Sequence, residues 1–338
     1  MSTVILTIKN IFHVVVSVFM LIPILLTMGD AGNPDTPVIT YPQSDNPYIT
    51  EYLDPDISAH RSGAGLAPQN TLMAFENIIE QGELLGVDTL EFDVQITADG
   101  ELVLLHDLTL DGTSDAVEAF GKKNVFASSL TLEELKALNM GENFKGNGDY
   151  PYKGLRGDDI PYNLRIVTCD EVIDYVEANA GKEYKYVIEI KSIGSNGRKA
   201  ADKLYSIITE RGLQSRVIWS TFAPFTSMYM KTNYPEIART ADAIEAVQFY
   251  FYFRMDWDLQ DVSPSYVALQ IPYGSSAFDN IINLGTREML NYAHSNNIAV
   301  QYWTINSEEE VRTLTLNGAD CIMTDYPQMA YDTVQACK

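Results

Sequence analysis

From residue 57 onward, short apolar runs alternate with longer segments whose apolar residues recur at helical spacing. The short runs are typical of buried strands and the longer ones of amphipathic helices, several of which end at Gly or Asn, as capped helices do. We predict strands at residues 57–60, 87–96, 101–106, 184–191, 216–221, 236–240, 266–271, 298–304 and 320–325.

Repeated strand–helix units over this length predict either a (β/α)8 TIM barrel or a doubly wound parallel sheet. A doubly wound sheet that binds nucleotides would carry a GxGxxG or GxxxxGK[ST] motif at the start of a helix, and the sequence has neither. The barrel is therefore the favoured fold class.

Two regions interrupt the alternation. Residues 108–165 follow the third predicted strand and are rich in turn-forming residues, so we interpret them as an insertion. Long loops that follow barrel strands lie on the catalytic face, where we expect this one. Residues 249–261 are unusually aromatic, and we interpret them as packing over the barrel, with a wall of a substrate cleft as the alternative.

The first 31 residues differ in kind from the rest. Lys9 precedes the apolar run IFHVVVSVFMLIPILLTM at residues 11–28, and small residues follow as far as Ala31. This order is typical of an export signal cleaved after Ala31, and the run is also long enough for an uncleaved membrane anchor. Either interpretation places the body, residues 57–338, outside the cytoplasm, at the cell surface or beyond it, after a linker at residues 32–56.

Composition narrows the classes of function. A net charge of −23 argues against nucleic acid as a partner and disfavours docking on an anionic membrane, so membrane contact is expected only through the amino-terminal anchor. A site for an anionic substrate must then depend on local cations or a metal. The three cysteines include no CxxC pair, and Cys169 and Cys321 lie in apolar segments, so we predict buried thiols for these two.

Two predicted strands carry charge on one face. In TLEFDVQI, Glu91 and Asp93 share one side and the apolar residues share the other, and in YVIEIK the same spacing relates Glu189 and Lys191. Solvated carboxylates on a half-exposed strand would give the same pattern. Inside a barrel, however, such carboxylates require a cation. The three carboxylates form an oxygen set suited to Mg²⁺ or Ca²⁺ more than to zinc, with a structural Glu189–Lys191 ion pair as the alternative.

Two of the four histidines, His60 and His106, stand at the carboxyl ends of predicted strands, where barrel chemistry takes place. Arg61 and Lys191 are cations that can hold a phosphate, and histidines exchange protons near neutral pH. A metal, two phosphate-binding cations and an acid/base pair together predict phosphodiester cleavage. His294 is predicted to be a surface residue of a helix.

Through most of residues 57–330 the sequence resembles the glycerophosphodiester phosphodiesterases. The resemblance runs in order through AHRSGAGLAPQNT, TLEFDVQITADGELVLLHD, LTLEELKALNMG, VIEIKS, WSTF, YWTIN and ADCIMTDYP. It implies a TIM barrel whose site contains three groups of residues. These are the acid/base pair His60 and His106; the substrate-binding residues Arg61, Lys191 and Trp303; and the ligands of a divalent cation, Glu91, Asp93 and Glu189.

Trp303 matches an aromatic residue that lines the glycerol pocket, and a core position is the alternative for it. Three positions depart from the family pattern. The loop HRSGAG replaces a shorter HRG turn, Gln69 stands where the family usually has Glu, and GTS at residues 112–114 replaces RTT. These departures bear on the choice of substrate more than on the chemistry.

The leading hypothesis is an exported, metal-dependent phosphodiesterase that hydrolyses glycerophosphodiesters to glycerol 3-phosphate and an alcohol through a cyclic phosphate. The alternatives are a related barrel phospholipase, acting on a lysophospholipid, a sphingolipid or an inositol lipid, and a catalytically inactive barrel protein. The retained inward charges argue against the inactive protein, since it would have no physical need for them.

Overall fold

The computed structural model of the chain describes residues 32–33, 35–40, 44–81, 85–146, 148–274 and 283–338. The export signal predicted for residues 1–31 lies outside this part. The described strands are Asp56–Ala59 (β1), Thr89–Ile96 (β2), Leu102–Leu104 (β3), Lys185–Ile190 (β4), Val217–Ser220 (β5), Ala268–Pro272 (β6), Ala299–Trp303 (β7) and Cys321–Thr324 (β8). The described α-helices are Leu72–Gln81 (α1), Ala116–Phe120 (α2), Leu132–Lys136 (α3), Cys169–Asn179 (α4), Gly194–Glu210 (α5), Pro224–Asn233 (α6), Ala243–Arg254 (α7), Arg287–Ser295 (α8), Glu308–Asn317 (α9) and Pro327–Gln335 (α10).

Seven of these strands form a parallel sheet in the order β5-β4-β2-β1-β8-β7-β6. Single bridges from Trp219 to Arg239 and from Thr240 to Ala268 join its two edges, β5 and β6, through residues 239–240. The predicted strand at 236–240 is reduced to these two contacts because α6 ends at Asn233 and the cap of α7 is already Asp242. The (β/α)8 barrel predicted from the sequence is confirmed.

The third predicted strand is not a barrel strand. After β2 the chain reverses at Gly100, whose φ of 90° lies in the region that favours glycine, and β3 then pairs antiparallel with β2. The backbone N–H of Leu105 donates to the carbonyl of Asp93 at 3.0 Å. The return strand therefore carries the residues after Leu105, including His106, back to the level of the charged part of β2.

The apolar face of β2 packs against the helix layer. Leu90, Phe92 and Val94 lie in one buried cluster with residues of α1, and the rings of Phe75 and Phe92 contact edge to face, with centroids 5.6 Å apart. Since side chains alternate along a strand, Glu91 and Asp93 point into the barrel, as the pattern predicts.

The insertion at 108–165 forms a small lobe with a core of its own, built on apolar residues that include Leu110, Leu130 and Leu135. Arg156 ties the lobe together, because its guanidinium lies 3.3 Å from a carboxylate oxygen of Asp115 and 2.8 Å from one of Glu142. The lobe packs at the carboxyl end of the barrel strands, where residues 140–145 lie beside the loop after β1.

The segment predicted as a linker is held against the amino-terminal end of the barrel. The side-chain amide of Asn46 donates to the carbonyls of Val267 and Asn297. Val267 lies immediately before β6, and Asn297 lies shortly before β7. Tyr48 is buried and packs with inward-facing apolar residues of the strands. The sequence predicted only a linker here, and in the structure Asn46 and Tyr48 of this segment close this end of the barrel.

Three further predictions concern residues away from the inward charges. His294 was expected at the surface, and this is wrong: it is buried, and its Nε2 lies 2.8 Å from a carboxylate oxygen of Asp320. Cys169 and Cys321 are buried free thiols, as predicted. The aromatic region packs on the barrel through Phe249 of α7, the interpretation that was favoured.

Within the described ranges, no helix is both long and apolar enough to cross a membrane.

Candidate active site

Side chains alternate between the two faces of each strand, so two adjacent parallel strands bring their inward-facing charged residues together. β2 carries Glu91 and Asp93, β4 carries Glu189 and is directly followed by Lys191, and the register pairs Asp93 with Glu189. These four side chains open into a cavity of about 290 Å³ at the carboxyl end of the barrel. All eight residues predicted for the site line this cavity: His60, Arg61, Glu91, Asp93, His106, Glu189, Lys191 and Trp303.

Asp93 is the centre of the charge network. Its carboxylate lies 3.2 Å from Nζ of Lys191 and 3.8 Å from Nε of Arg61, and it accepts a hydrogen bond of 2.9 Å from the side-chain amide of Asn70. Burial opposes ionisation of Asp93, but Lys191, His106 and Arg61 together lower its pKa. Asp93 is therefore an ionised carboxylate inside the barrel.

Glu91 and Glu189 are less well compensated. Burial, reinforced by the charge of Asp93, raises the pKa of Glu91 well above its ordinary value, although one of its oxygens accepts a 2.6 Å bond from the backbone N–H of Arg61. Arg61 reaches this position with a left-handed backbone, φ 48°. Burial also raises the pKa of Glu189, even though Nζ of Lys191 lies 2.8 Å from it.

The carboxylates fit a hard cation by their chemistry. Burial is the main cause of the raised pKa values of Glu91 and Glu189, and a divalent cation would offset the cost of ionising these two carboxylates inside the barrel. In the present arrangement Lys191 compensates Asp93 and Glu189. Within the part of the chain that the structure describes, no three His, Cys, Asp or Glu side chains are already arranged to hold a metal ion.

Each predicted catalytic histidine is oriented by a carboxylate. Nδ1 of His60 lies 2.7 Å from Oδ1 of Asp325, and Nδ1 of His106 lies 2.9 Å from Oδ1 of Asp107. With Nδ1–H donating to a carboxylate, Nε2 of each ring is left to exchange a proton. His60 follows β1, as predicted, but His106 reaches the cavity through the antiparallel return strand.

Two residues at the site were not assigned from the sequence: Asp325, which contacts His60, and Phe222, which lines the cavity. Asp325 orients His60 and accepts a second bond, 2.7 Å long, from the side-chain amide of Asn306. Phe222 forms a wall with Trp303, their ring centroids being 5.7 Å apart. Asp325 lies in the ADCIMTDYP motif and Phe222 in WSTF, so the motifs contained a signal for both positions but not for their roles.

The departure at Gln69 lies at the site. Its side-chain carbonyl accepts a 2.6 Å hydrogen bond from Nη1 of Arg61. A glutamate there would place a full negative charge beside the guanidinium, whereas the amide leaves the charge of Arg61 less compensated. The HRSGAG loop packs under Tyr326, since a Cβ on Gly65 would lie 2.4 Å from that ring.

A TIM barrel with buried carboxylates, two cations and two oriented histidines at its carboxyl end defines a class of phosphodiester-cleaving hydrolases. The chain belongs to the glycerophosphoryl diester phosphodiesterase family, whose model matches residues 60–329. The chain is accordingly an enzyme, a phosphoric diester hydrolase.

Individual relatives cover most of the chain. It is 28% identical over 285 residues to a glycerophosphodiester phosphodiesterase from Caldanaerobacter subterraneus subsp. tengcongensis, covering 82% of this chain and 97% of that protein. A glycerophosphodiester phosphodiesterase from Bacillus altitudinis is 25% identical over 275 residues, which are 81% of this chain and 96% of that one.

Solved structures share the fold. An Oleispira antarctica phosphodiesterase in complex with the product sn-glycerol-3-phosphate matches with a TM-score of 0.60 and 22% identity, over 83% of this chain and 97% of that one. A glycerophosphodiester phosphodiesterase from Agrobacterium tumefaciens matches with a TM-score of 0.59 and 18% identity, over 82% and 100% of the two chains.

Proposed function

We propose that this enzyme hydrolyses glycerophosphodiesters to glycerol 3-phosphate and an alcohol, with the aid of a divalent cation. The observation that carries the proposal is the single cavity into which three carboxylates, two cations and two carboxylate-oriented histidines all open. The names of the curated relatives support the choice of substrate.

The cation-binding residues in this proposal are Glu91, Asp93 and Glu189. Their oxygens suit Ca²⁺ or Mg²⁺, which when bound would neutralise buried negative charge and lower the pKa of a coordinated substrate hydroxyl. With a cation held by these carboxylates, the ammonium of Lys191, now paired with Asp93 and Glu189, would be able to contact the substrate phosphate.

Arg61 and Lys191 hold the phosphodiester anion. Both basic side chains flank Asp93, so a phosphate bound beside that carboxylate would contact Arg61 and Lys191 together. Trp303 and Phe222 form the wall against which the glycerol carbons pack. In this proposal the phosphorus atom lies between the histidines and the apolar wall.

His60 and His106 exchange the protons. The hydroxyl next to the phosphate ester attacks phosphorus and gives its proton to Nε2 of one histidine, while the other protonates the oxygen of the leaving alcohol. The new P–O bond closes a cyclic phosphate as the bond to the alcohol breaks. Water then opens the ring with the histidines in exchanged roles and yields glycerol 3-phosphate.

A panel of glycerophosphodiesters, assayed with and without a chelator, tests the activity and its dependence on a cation. We expect release of glycerol 3-phosphate that stops on chelation and returns with Ca²⁺ or Mg²⁺. Full activity after exhaustive chelation, or in Glu189→Ala, would contradict the metal assignment.

The cyclic route has a separate test, in which the neighbouring hydroxyl of the substrate is replaced by hydrogen. We expect this analogue to bind as an inhibitor without being cleaved. Hydrolysis at the rate of the parent substrate would mean that water attacks phosphorus directly.

We also propose that residues 1–31 direct export of the enzyme, with cleavage after Ala31. The cationic start and apolar run at residues 11–28 support it. Amino-terminal sequencing of the mature protein should begin at Gly32. Recovery of residues 1–28 in a membrane fraction would indicate the anchor instead, and a full-length cytosolic protein would refute both.

A further inference from the structure

A second cavity, of about 450 Å³, adjoins the first and shares His60 and Arg61 with it. The rest of its lining comes from the loops after β1, β7 and β8 and from the insertion, and includes Gln69, Thr113, Asn143, Phe144, Lys145 and Tyr326. None of these six belongs to the carboxylate cluster or to the glycerol wall. Beyond the shared His60 and Arg61, the cavity therefore adds residues to which the chemistry above gives no role, and it opens beside the reacting atoms.

Its position assigns it to one end of the substrate. If the phosphate lies at Arg61 and the glycerol packs on Trp303 in the first cavity, the ester bond to the alcohol points away from Trp303. The second cavity lies beyond the two shared residues, His60 and Arg61, on the side that Trp303 does not line. This step rests on the proposed function.

The lining offers hydrogen bonds that the protein itself does not use. The hydroxyl of Thr113 is buried and has no hydrogen-bond partner among the described residues. Gln69 uses its carbonyl oxygen on Arg61, which leaves its amide N–H groups as donors, and Asn143 adds a second amide. A buried hydroxyl without a partner carries an energetic cost that a hydroxyl of the ligand would remove.

The charges in the cavity disfavour a cationic ligand. Within the described part of the chain, no carboxylate lies within 4 Å of the ammonium of Lys145. Asp325, the carboxylate of the cavity, is already engaged by His60 and Asn306. The residue beside Arg61 is the neutral Gln69. An ammonium group placed here would meet two basic side chains and no free anion.

We infer that this cavity binds the alcohol portion of the substrate and selects an uncharged polyol, such as glycerol or inositol, over a cationic amino alcohol such as choline. Hydroxyls of the polyol would pair with Thr113 and the two amides, and its carbon face would pack on Phe144 and Tyr326. The net charge of −23 attracts positive groups in general, so a preference for polyols would have to come from local residues.

The test compares kcat/KM for glycerophosphoglycerol, glycerophosphoinositol and glycerophosphocholine in the full-length enzyme with divalent cation. We expect the wild type to favour the two polyol esters. Lys145→Glu should shift the polyol-to-choline ratio toward choline by roughly 3- to 10-fold, since it replaces repulsion of an ammonium by attraction at a solvent-exposed position.

Lys122→Glu is the matched control, because it makes the same charge change at an exposed lysine of the insertion that does not line the cavity. It should leave the ratio unchanged. Thr113→Val, which keeps the shape and removes the hydroxyl, should lower the polyol-to-choline ratio of kcat/KM, because only the polyol esters lose a hydroxyl partner.

A wild-type preference for glycerophosphocholine would overturn the inference, as would equal shifts in Lys145→Glu and Lys122→Glu. Either result would leave the proposed phosphodiesterase activity standing. If none of the three esters is hydrolysed with Ca²⁺ or Mg²⁺, the proposed function fails and the inference fails with it.

Discussion

The ammonium nitrogen of Lys191, the residue that directly follows β4, lies 2.8 Å from a carboxylate oxygen of Glu189, two residues earlier in the chain. Strand alternation places both side chains in the barrel interior, where the same ammonium is 3.2 Å from Asp93. Lys191 is thus the internal counter-ion of two carboxylates that we propose as cation ligands. A bound cation would take over that compensation and leave the lysine to contact a phosphate.

The first prediction tests this double role with Lys191→Met. Removing one partner of a buried ion pair leaves unpaired charge, so metal-free stability should fall by about 3–5 kcal/mol. Ca²⁺ or Mg²⁺ should restore part of the loss, because the cation supplies the missing positive charge. Activity should fall roughly 10²- to 10³-fold, as when one stabilising contact to the transition state is removed. Denaturant unfolding with chelator and with divalent cation measures the first two effects.

Lys185→Met is the control for that experiment. Lys185 is the first residue of β4, and its ammonium lies 2.6 Å from the carboxylate of Asp56 at the opposite end of the barrel. Lys185→Met should lower the free energy of unfolding by the same amount whether or not the divalent cation is present. If the cation stabilises both variants equally, Lys191 is not the counter-ion of a cation site.

The second prediction uses pH. Burial and then the charge of Asp93 raise the pKa of Glu91 well above 4.5, so above that pH the folded chain holds a proton that the unfolded chain has released. The stability contributed by this proton is fully present below the unfolded pKa and is lost as pH rises through the folded pKa. Glu91→Gln removes the titration, and in chelator it should be more stable than the wild type at neutral pH.

The advantage of Glu91→Gln should shrink as the pH falls toward the unfolded pKa, because the wild-type carboxyl is then protonated too. With Ca²⁺ or Mg²⁺ present, the order should reverse, since only the wild type gains the cation. Thermal melts over a pH series, with and without chelator, measure both effects. Parallel profiles for the two proteins would show that Glu91 is not a strained carboxyl in the metal-free state.

Local sequence pattern predicted the charged face of the site well, because a period of two decides which side of a strand each residue occupies. Glu91 and Lys191 could be placed in the barrel interior from that rule alone. It predicted His106 at the site but assigned it to a parallel barrel strand, since the sequence does not show whether a third strand runs parallel or returns beside the second. The partner of His60, Asp325, is 265 residues away and becomes visible only when β1 pairs with β8.

The third prediction separates the two histidines. His60→Ala and His106→Ala should each lower the rate roughly 10²- to 10⁴-fold, the usual contribution of positioned acid/base groups. A substrate with a nitrophenol leaving group needs no proton on departure. The variant that lacks the general acid should therefore recover much of its rate on this ester, and the variant that lacks the base should not.

Asp325→Asn should show the same dependence of rate on the leaving group as His60→Ala, because Asp325 acts through its 2.7 Å contact with His60. Recovery of both alanine variants, or of neither, would contradict a division of labour between the histidines. A large loss of stability in Asp325→Asn without a change in leaving-group dependence would indicate a purely structural carboxylate.

The fourth prediction concerns the amino-terminal segment that closes the barrel. Tyr48 is 6% exposed, packs against Val187 and Ile218 from the barrel interior, and donates its hydroxyl to the carbonyl of Val217 at 3.3 Å. Tyr48→Ala should cost about 3–5 kcal/mol, as large aromatic truncations in cores do. Tyr48→Phe keeps the packing and loses one long hydrogen bond, so it should cost no more than about 0.5–1.5 kcal/mol.

Tyr52→Ala provides the comparison, because Tyr52 belongs to the same segment but is 40% exposed. Tyr52→Ala should lower the free energy of unfolding by only about 0.5 kcal/mol, as surface substitutions do. Denaturant unfolding of the three variants gives the ranking. If the segment were a free linker, none of the three substitutions would change the free energy of unfolding. A negligible effect of Tyr48→Ala would therefore mean that the segment does not contribute to the stability of the fold. A large effect of Tyr48→Ala alone would show that a segment outside the family match, which begins at residue 60, is part of the folded barrel.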